Sequence, residues 1–111
     1  MLGQYDNSIN SYQMALKRKP DSAECYYNLA SAYNDKGDKK QAAHYFRTSL
    51  RFDDQNPETY YELGLIFSKS DLPDEQEAAV QALKKAIELN PSHVKARQAL
   101  EQCPIPEEND T

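Results

Sequence analysis

Slid against itself by 34 residues, this chain matches itself, and a short fixed period of that kind leaves few folds open. Tyr26 falls on Tyr60, Tyr27 on Tyr61, Leu29 on Leu63, Ala30 on Gly64 and Tyr33 on Phe67, so CYYNLASAY returns as TYYELGLIF. Upstream, Tyr12 falls on Phe46, Ala15 on Ser49 and Leu16 on Leu50. A further copy of this second half lies 37 residues on, where Ala42, Phe46, Ser49 and Leu50 correspond to Ala79, Leu83, Ala86 and Ile87. The three added residues belong between the halves of the last copy, in or near Ser68 to Asp74. A unit this short cannot bury its apolar face alone, so it must stack on its neighbours.

Within each half the apolar residues recur at helical spacing, as in Tyr26, Leu29, Ala30 and Tyr33. The punctuation agrees. Asp38 stands three residues before Gln41, a capping-box pattern after the Lys36-Gly37 turn, and Asp74 with Glu77 repeats it. Asn56-Pro57 places a cap residue before a proline suited to a first helical turn, while Pro20 and Pro91 lie where a preceding helix must stop. Strand signals are absent. The pattern predicts helices over about 4–19, 22–36, 39–52, 57–69, 75–89 and 93–102, with bounds good to roughly two to four residues. The final PIPEENDT reads as a frayed acidic tail.

These residues resemble the tetratricopeptide repeat, a helix-turn-helix unit with small residues where its two helices meet and aromatics where it packs on its neighbours. The resemblance covers about residues 3–102 and implies an all-α solenoid of about two and a half repeats plus a capping helix. Its parts would be the second helix of a truncated repeat (3–20), a full repeat (23–56), a full repeat with a longer internal turn (57–93), the capping helix (93–102) and the tail (103–111). Several positions depart from the family pattern. Tyr26 and Tyr60 stand where Trp is frequent, Asp54 replaces a terminal Pro, and Ser8 and Ser49 replace small alanines. YDNSINSYQMAL aligns with KKQAAHYFRTSL, a second helix whose first is missing. Ser8, Ala15 and parts of Tyr5, Ile9 and Tyr12 are then expected to form a wet seam, at about 25 cal/mol per Å² of apolar surface. Either the native polypeptide extends further upstream, or another chain covers the seam, which makes self-association through residues 4–19 an expectation.

At 111 residues and 12.7 kDa, with 39% hydrophobic and 28% charged residues and only 3 Gly, the chain suits one small folded domain. No window nears the roughly 18 apolar residues of a membrane helix, and MLGQYDNS lacks the basic start and apolar run of a signal peptide. No membrane partner is expected. Residues 1–100 hold 14 acidic and 13 basic side chains; Glu101, Glu107, Glu108 and Asp110 bring the net charge to −5. Nucleic acid is a poor partner for such a balance, since phosphate binding needs clustered cations. The basic run Lys17-Arg18-Lys19 reads as the complement to the negative end of a helix.

No catalytic constellation emerges. His44 has a phase that points outward, and His93, in the Asn90-Pro91-Ser92 turn, reads equally as a solvated histidine. Neither has a Cys, Asp or second His at ligand spacing, so no metal site is expected. Cys25 and Cys103 lie too far apart in sequence for a zinc motif, and nothing basic adjoins either to depress its pKa. Two such thiols suit the cytoplasm or another reducing compartment. With neither GxGxxG nor GxxxxGK present, no nucleotide or other cofactor is implied.

In the family the first helices of successive repeats line a concave groove that holds peptide segments of other proteins. Carried over residue by residue, the resemblance implies a groove lined by Glu24, Tyr27, Asn28, Ser31, Asn34 and Asp35, then Glu58, Tyr61, Glu62, Leu65 and Lys69, with Lys95, Gln98 and Gln102 from the capping helix. Asn28 matches a position where an Asn can hydrogen-bond a peptide main chain, or is simply a solvated helix residue. Family co-chaperones grip the C-terminal carboxylates of heat-shock chaperones with Lys, Arg and Asn. Here two of those cations would fall at Glu58 and Glu62, which repel a carboxylate. An acidic groove with two tyrosines favours a basic or neutral peptide, unless its charges serve solubility alone. The expected function is a non-catalytic protein-interaction scaffold; the alternative is a recruiting arm of a larger enzyme, since similar repeats occur in glycosyltransferases and phosphatases.

Overall fold

The structure is a computed structural model that describes residues 2–103. It contains α1 (Leu2–Arg18), α2 (Ala23–Lys36), α3 (Lys39–Phe52), α4 (Pro57–Ser68), α5 (Pro73–Leu89) and α6 (Val94–Gln102). Among the described residues there is no strand, as the all-α expectation required. The expected tail after Cys103 lies outside the described residues. Two compact units emerge, Met1–Asp54 and Gln55–Thr111.

In the first unit α2 packs on both α1 and α3. The local signals explain where each helix starts and stops. Ser22 Oγ accepts from Cys25 N–H at 3.1 Å and Asp38 accepts from Gln41 N–H at 3.2 Å, each satisfying one of the amides a helix start leaves open. Between them Gly37 takes φ +99°, and its N–H and that of Asp38 close the end of α2 on the Asn34 and Tyr33 carbonyls. That left-handed cap suits glycine because a Cβ is strained there. Ala30 of α2 and Ala42 and Phe46 of α3 are fully buried, and Tyr27 meets Phe46 edge-on at 5.4 Å. Ser49, standing where the family has alanine, donates its hydroxyl to the Ala23 carbonyl at 2.8 Å and so ties α3 to the start of α2. On the other side Ile9, Leu29 and Ala32 form a cluster flanked by Tyr12, Leu16, Tyr33 and Tyr45. Lys36 bonds Asp6 at 2.8 Å across α1 and α2.

In the second unit α5 packs on both α4 and α6. Leu63, Gly64 and Phe67 of α4 and Ala79, Val80, Leu83 and Ala86 of α5 are buried, and Gly64 lies against Leu83 and Ala79. Gly64 answers Ala30 of the first repeat. A Cβ there would come within 2.6 Å of Leu83 Cγ. Asn56 caps α4 through Glu58 N–H at 3.0 Å, with Pro57 in the first turn as its sequence implied.

Three expectations need correction. α5 begins at Pro73 with Leu72 at its cap position and no side-chain cap bond, so Asp74 sits inside the first turn and is not the cap. The extra residues of this repeat therefore lengthen the start of α5 ahead of Ala79, and the turn at 69–72 is longer because α4 ends earlier in its repeat than α2 does. Ile9 is 7% exposed and faces α2, so it leaves the wet seam, whereas Ser8 and Ala15 are exposed as expected. His93 is buried at 8% exposure instead of solvated. An i, i+3 spacing identifies a helix start without showing which of two neighbouring residues the chain direction favours.

Candidate functional site

Each unit carries a cleft beside its first-helix face. In the first unit the cleft encloses about 240 Å³ and is lined by Gln4, Tyr5, Ser8 and Tyr12 of α1 with Asn28, Ser31, Ala32 and Asp35 of α2. Helical spacing places Asn28, Ser31 and Asp35, three of the residues the resemblance assigns to the groove, on one face of α2. The α1 contribution was missed, because α1 entered that reading only as an unpaired second helix. Asn34 accepts from Lys39 Nζ at 2.6 Å, which turns its amide to the α2–α3 corner. Glu24 is exposed in the first turn of α2 and Tyr27 is half-buried against Phe46.

The second cleft is shallow and open to solvent, with a volume of about 430 Å³. Glu58, Tyr61 and Glu62 of α4 line one side, and Asn90, Ser92, His93, Val94 and Lys95 line the other. Leu65, Lys69 and Gln98 are not among the residues lining it; Lys69 caps the end of α4, and Gln98 is exposed on α6. Gln102 is likewise exposed.

His93 organises this cleft from behind. Its Nδ1 accepts from Ala96 N–H at 3.1 Å, capping α6, so a neutral ring carries its proton on Nε2. Nε2 lies 3.0 Å from Glu58 Oε2, but the carboxylate stands off the direction of the ring N–H and leaves that buried donor without a directed hydrogen bond. The imidazole also packs on Tyr61, with centroids 4.8 Å apart and planes at 42°. Burial, with Glu62 and Glu58 close by, pushes the Tyr61 phenol above its ordinary range. A sequence signal for His93 existed: it follows Asn-Pro-Ser and precedes a helix by one residue, a cap position, although His is not among the favoured cap types.

The remaining chemistry is sparse. His44 is exposed and stands edge-on to Tyr45 at 4.8 Å. The Cys25 thiol donates to the Tyr12 carbonyl at 3.4 Å, and burial followed by the nearby Glu24 pushes its pKa up; burial alone does the same for Cys103. Raised pKa values make both thiols poor nucleophiles. Among the described residues no group of three or more His, Cys, Asp or Glu could hold a metal ion. No helix among them is long and apolar enough to cross a membrane.

The family model described as "Tetratricopeptide repeat" matches residues 23–56 and 57–93, and a model described as "TPR repeat" matches 2–37. The solved structure of MamA superposes with a TM-score of 0.81 at 32% identity, covering 88% of this chain and 56% of that one. The first TPR of Spaghetti (RPAP3), bound to an HSP90 peptide, superposes with a TM-score of 0.82 at 21% identity, covering 90% of this chain and 77% of that one. Among curated proteins, a probable UDP-N-acetylglucosamine–peptide N-acetylglucosaminyltransferase of Arabidopsis thaliana is 39% identical over 49 residues, 44% of this chain and 5% of that protein. The chain thus spans a small part of that relative and about half of MamA.

Proposed function

The chain belongs to the tetratricopeptide repeat family, and from that premise we propose that it is a non-catalytic interaction module that binds a peptide segment of a partner protein along the face of its first helices. Protein interaction is the role such repeats imply; the peptide and its chemistry are the finer reading. The observation that carries it is the second cleft, where Glu58, Glu62 and Tyr61 line one wall. Two carboxylates there repel an acidic terminus and attract a basic segment, and the phenol adds contact area and cation–π attraction. The HSP90 peptide of the Spaghetti structure therefore gives the fold of this chain a precedent but not its ligand. In the first cleft the side chains of Asn28, Ser31 and Asp35 offer polar groups that can hydrogen-bond a peptide main chain.

Affinity capture with the wild-type chain and with a Tyr61→Ala/Glu62→Gln double variant tests this reading. Recovery of a partner through a basic or neutral segment, lost in the double variant, is the expected result. Undiminished capture by the double variant overturns it.

A second reading is favoured by the 39% identity to the plant glycosyltransferase: the chain would be the recruiting arm of a larger enzyme. The intact transcript decides between the two readings, since an adjoining catalytic domain is required only by the second. The two unpaired thiols favour a reducing compartment such as the cytoplasm under either reading.

A further inference from the structure

We propose that the cleft between α4 and the start of α6 takes the guanidinium of an arginine side chain from the bound partner segment, a step that rests on the groove reading above. Three features of the cleft lead there. Glu58 and Glu62, one helical turn apart, outnumber the single ammonium of Lys95 among its lining side chains. Behind Glu58 stands His93, whose side chain is 6% exposed and whose Nε2 has no directed hydrogen bond, 3.0 Å from the carboxylate. With Nδ1 committed to Ala96 N–H, this buried donor lies beside Glu58 Oε2, whose side chain is otherwise half exposed. Beside it, the Tyr61 ring, packed on the imidazole, offers an aromatic surface for a cation, and Val94, 60% exposed at the rim, can contact an aliphatic stem.

Arginine fits these features better than lysine. Its planar fork can bond a carboxylate through two parallel N–H groups while lying against a ring, whereas an ammonium is a compact and strongly hydrated charge. Asn90 and Ser92, on the same rim, supply polar groups for the adjoining main chain.

The test is an NMR titration of the whole chain with blocked tripeptides, acetyl-Gly-Arg-Gly-amide and its Lys and Glu counterparts. Saturable shifts from the Arg peptide, centred on Glu58, Tyr61 and residues 92–95, are expected, with the Lys peptide weaker and the Glu peptide silent. Glu58→Gln keeps an oxygen for His93 but removes the charge, and should weaken Arg binding by about threefold to fivefold, the scale of an exposed ion pair. Lys95→Gln should strengthen it, an opposite sign that mere loss of packing does not produce. Scattered or absent shifts, equal binding of the Lys peptide, or an unaltered Glu58→Gln titration each overturn the proposal. Partner capture that is lost in the Tyr61→Ala/Glu62→Gln variant but unaffected by Glu58→Gln overturns the arginine assignment alone and leaves the groove reading standing.

Discussion

Thr59 is fully buried in α4, yet its hydroxyl has no hydrogen-bond partner among the described residues. A buried orphan of this kind costs about 1–3 kcal/mol. Valine keeps the β-branched shape, so Thr59→Val is expected to raise stability by about 1 kcal/mol, read as a higher urea midpoint at unchanged slope. At the same scale, Tyr45 and Tyr61 carry raised phenol pKa values, first through burial and then through neighbouring groups: Tyr33 and Tyr26 for the former, Glu62 and Glu58 for the latter. The folded state holds those protons more tightly than the unfolded chain, whose phenols ionise near 10. Their contribution is thus complete below pH 10 and declines as pH rises above it. Thermal midpoints across that range should fall, and fall less in Tyr45→Phe; parallel curves for parent and variant would contradict the assignment. His93 shows why single residues of the cleft escaped the sequence. Its burial depends on Tyr61 and Glu58, some thirty residues earlier, and no local pattern reports a contact that distant.

Helix pairs were far more legible than single side chains. The 34-residue offset aligned Ala30 with Gly64 and Tyr12 with Phe46, and the structure uses Ala30 and Phe46 as buried contacts of one hairpin. Gly64 has a sharper role, since a Cβ would lie 2.6 Å from Leu83 Cγ and 2.7 Å from its Cδ2. Alanine gains about 1 kcal/mol of helix propensity over glycine, but overpacking a buried contact costs about 1–3 kcal/mol. Gly64→Ala is therefore expected to destabilise the chain by about 1 kcal/mol. In a Leu83→Ala background the same change should cost nothing, and the double-mutant cycle measures that difference. Additive effects would show that Leu83 moves aside freely. The start of α5 was less legible, because Leu72-Pro73 and Asp74 both offer a beginning; proline's fixed φ suits the first turn and starts the helix earlier.

For the molecule as a whole, the uneven burial of equivalent second helices is the feature with consequences. Ala42, Phe46 and Ser49 of α3 are at most 2% exposed, and Ala79, Leu83 and Ala86 of α5 are fully buried. Their counterparts on α1 are exposed Ser8, half-buried Tyr12 and exposed Ala15. Apolar area left in water there is worth about 25 cal/mol per Å² once covered. We expect the chain to self-associate through residues 4–19, with a sedimentation coefficient that rises with concentration and stops rising in Ser8→Glu/Ala15→Glu. A strict monomer at high concentration would sink this expectation.

The sequence by itself determined the helices, their main caps and which halves form hairpins, because periodicity, Gly37, Asp38 and Asn56-Pro57 act over a few residues. Tertiary structure decided the burial of His93 and Ile9 and the grouping of Glu58, Tyr61 and Glu62 with residues 90–95. Those outcomes depend on which surfaces meet after the helices have formed, a property of packing in three dimensions that no single stretch of chain contains.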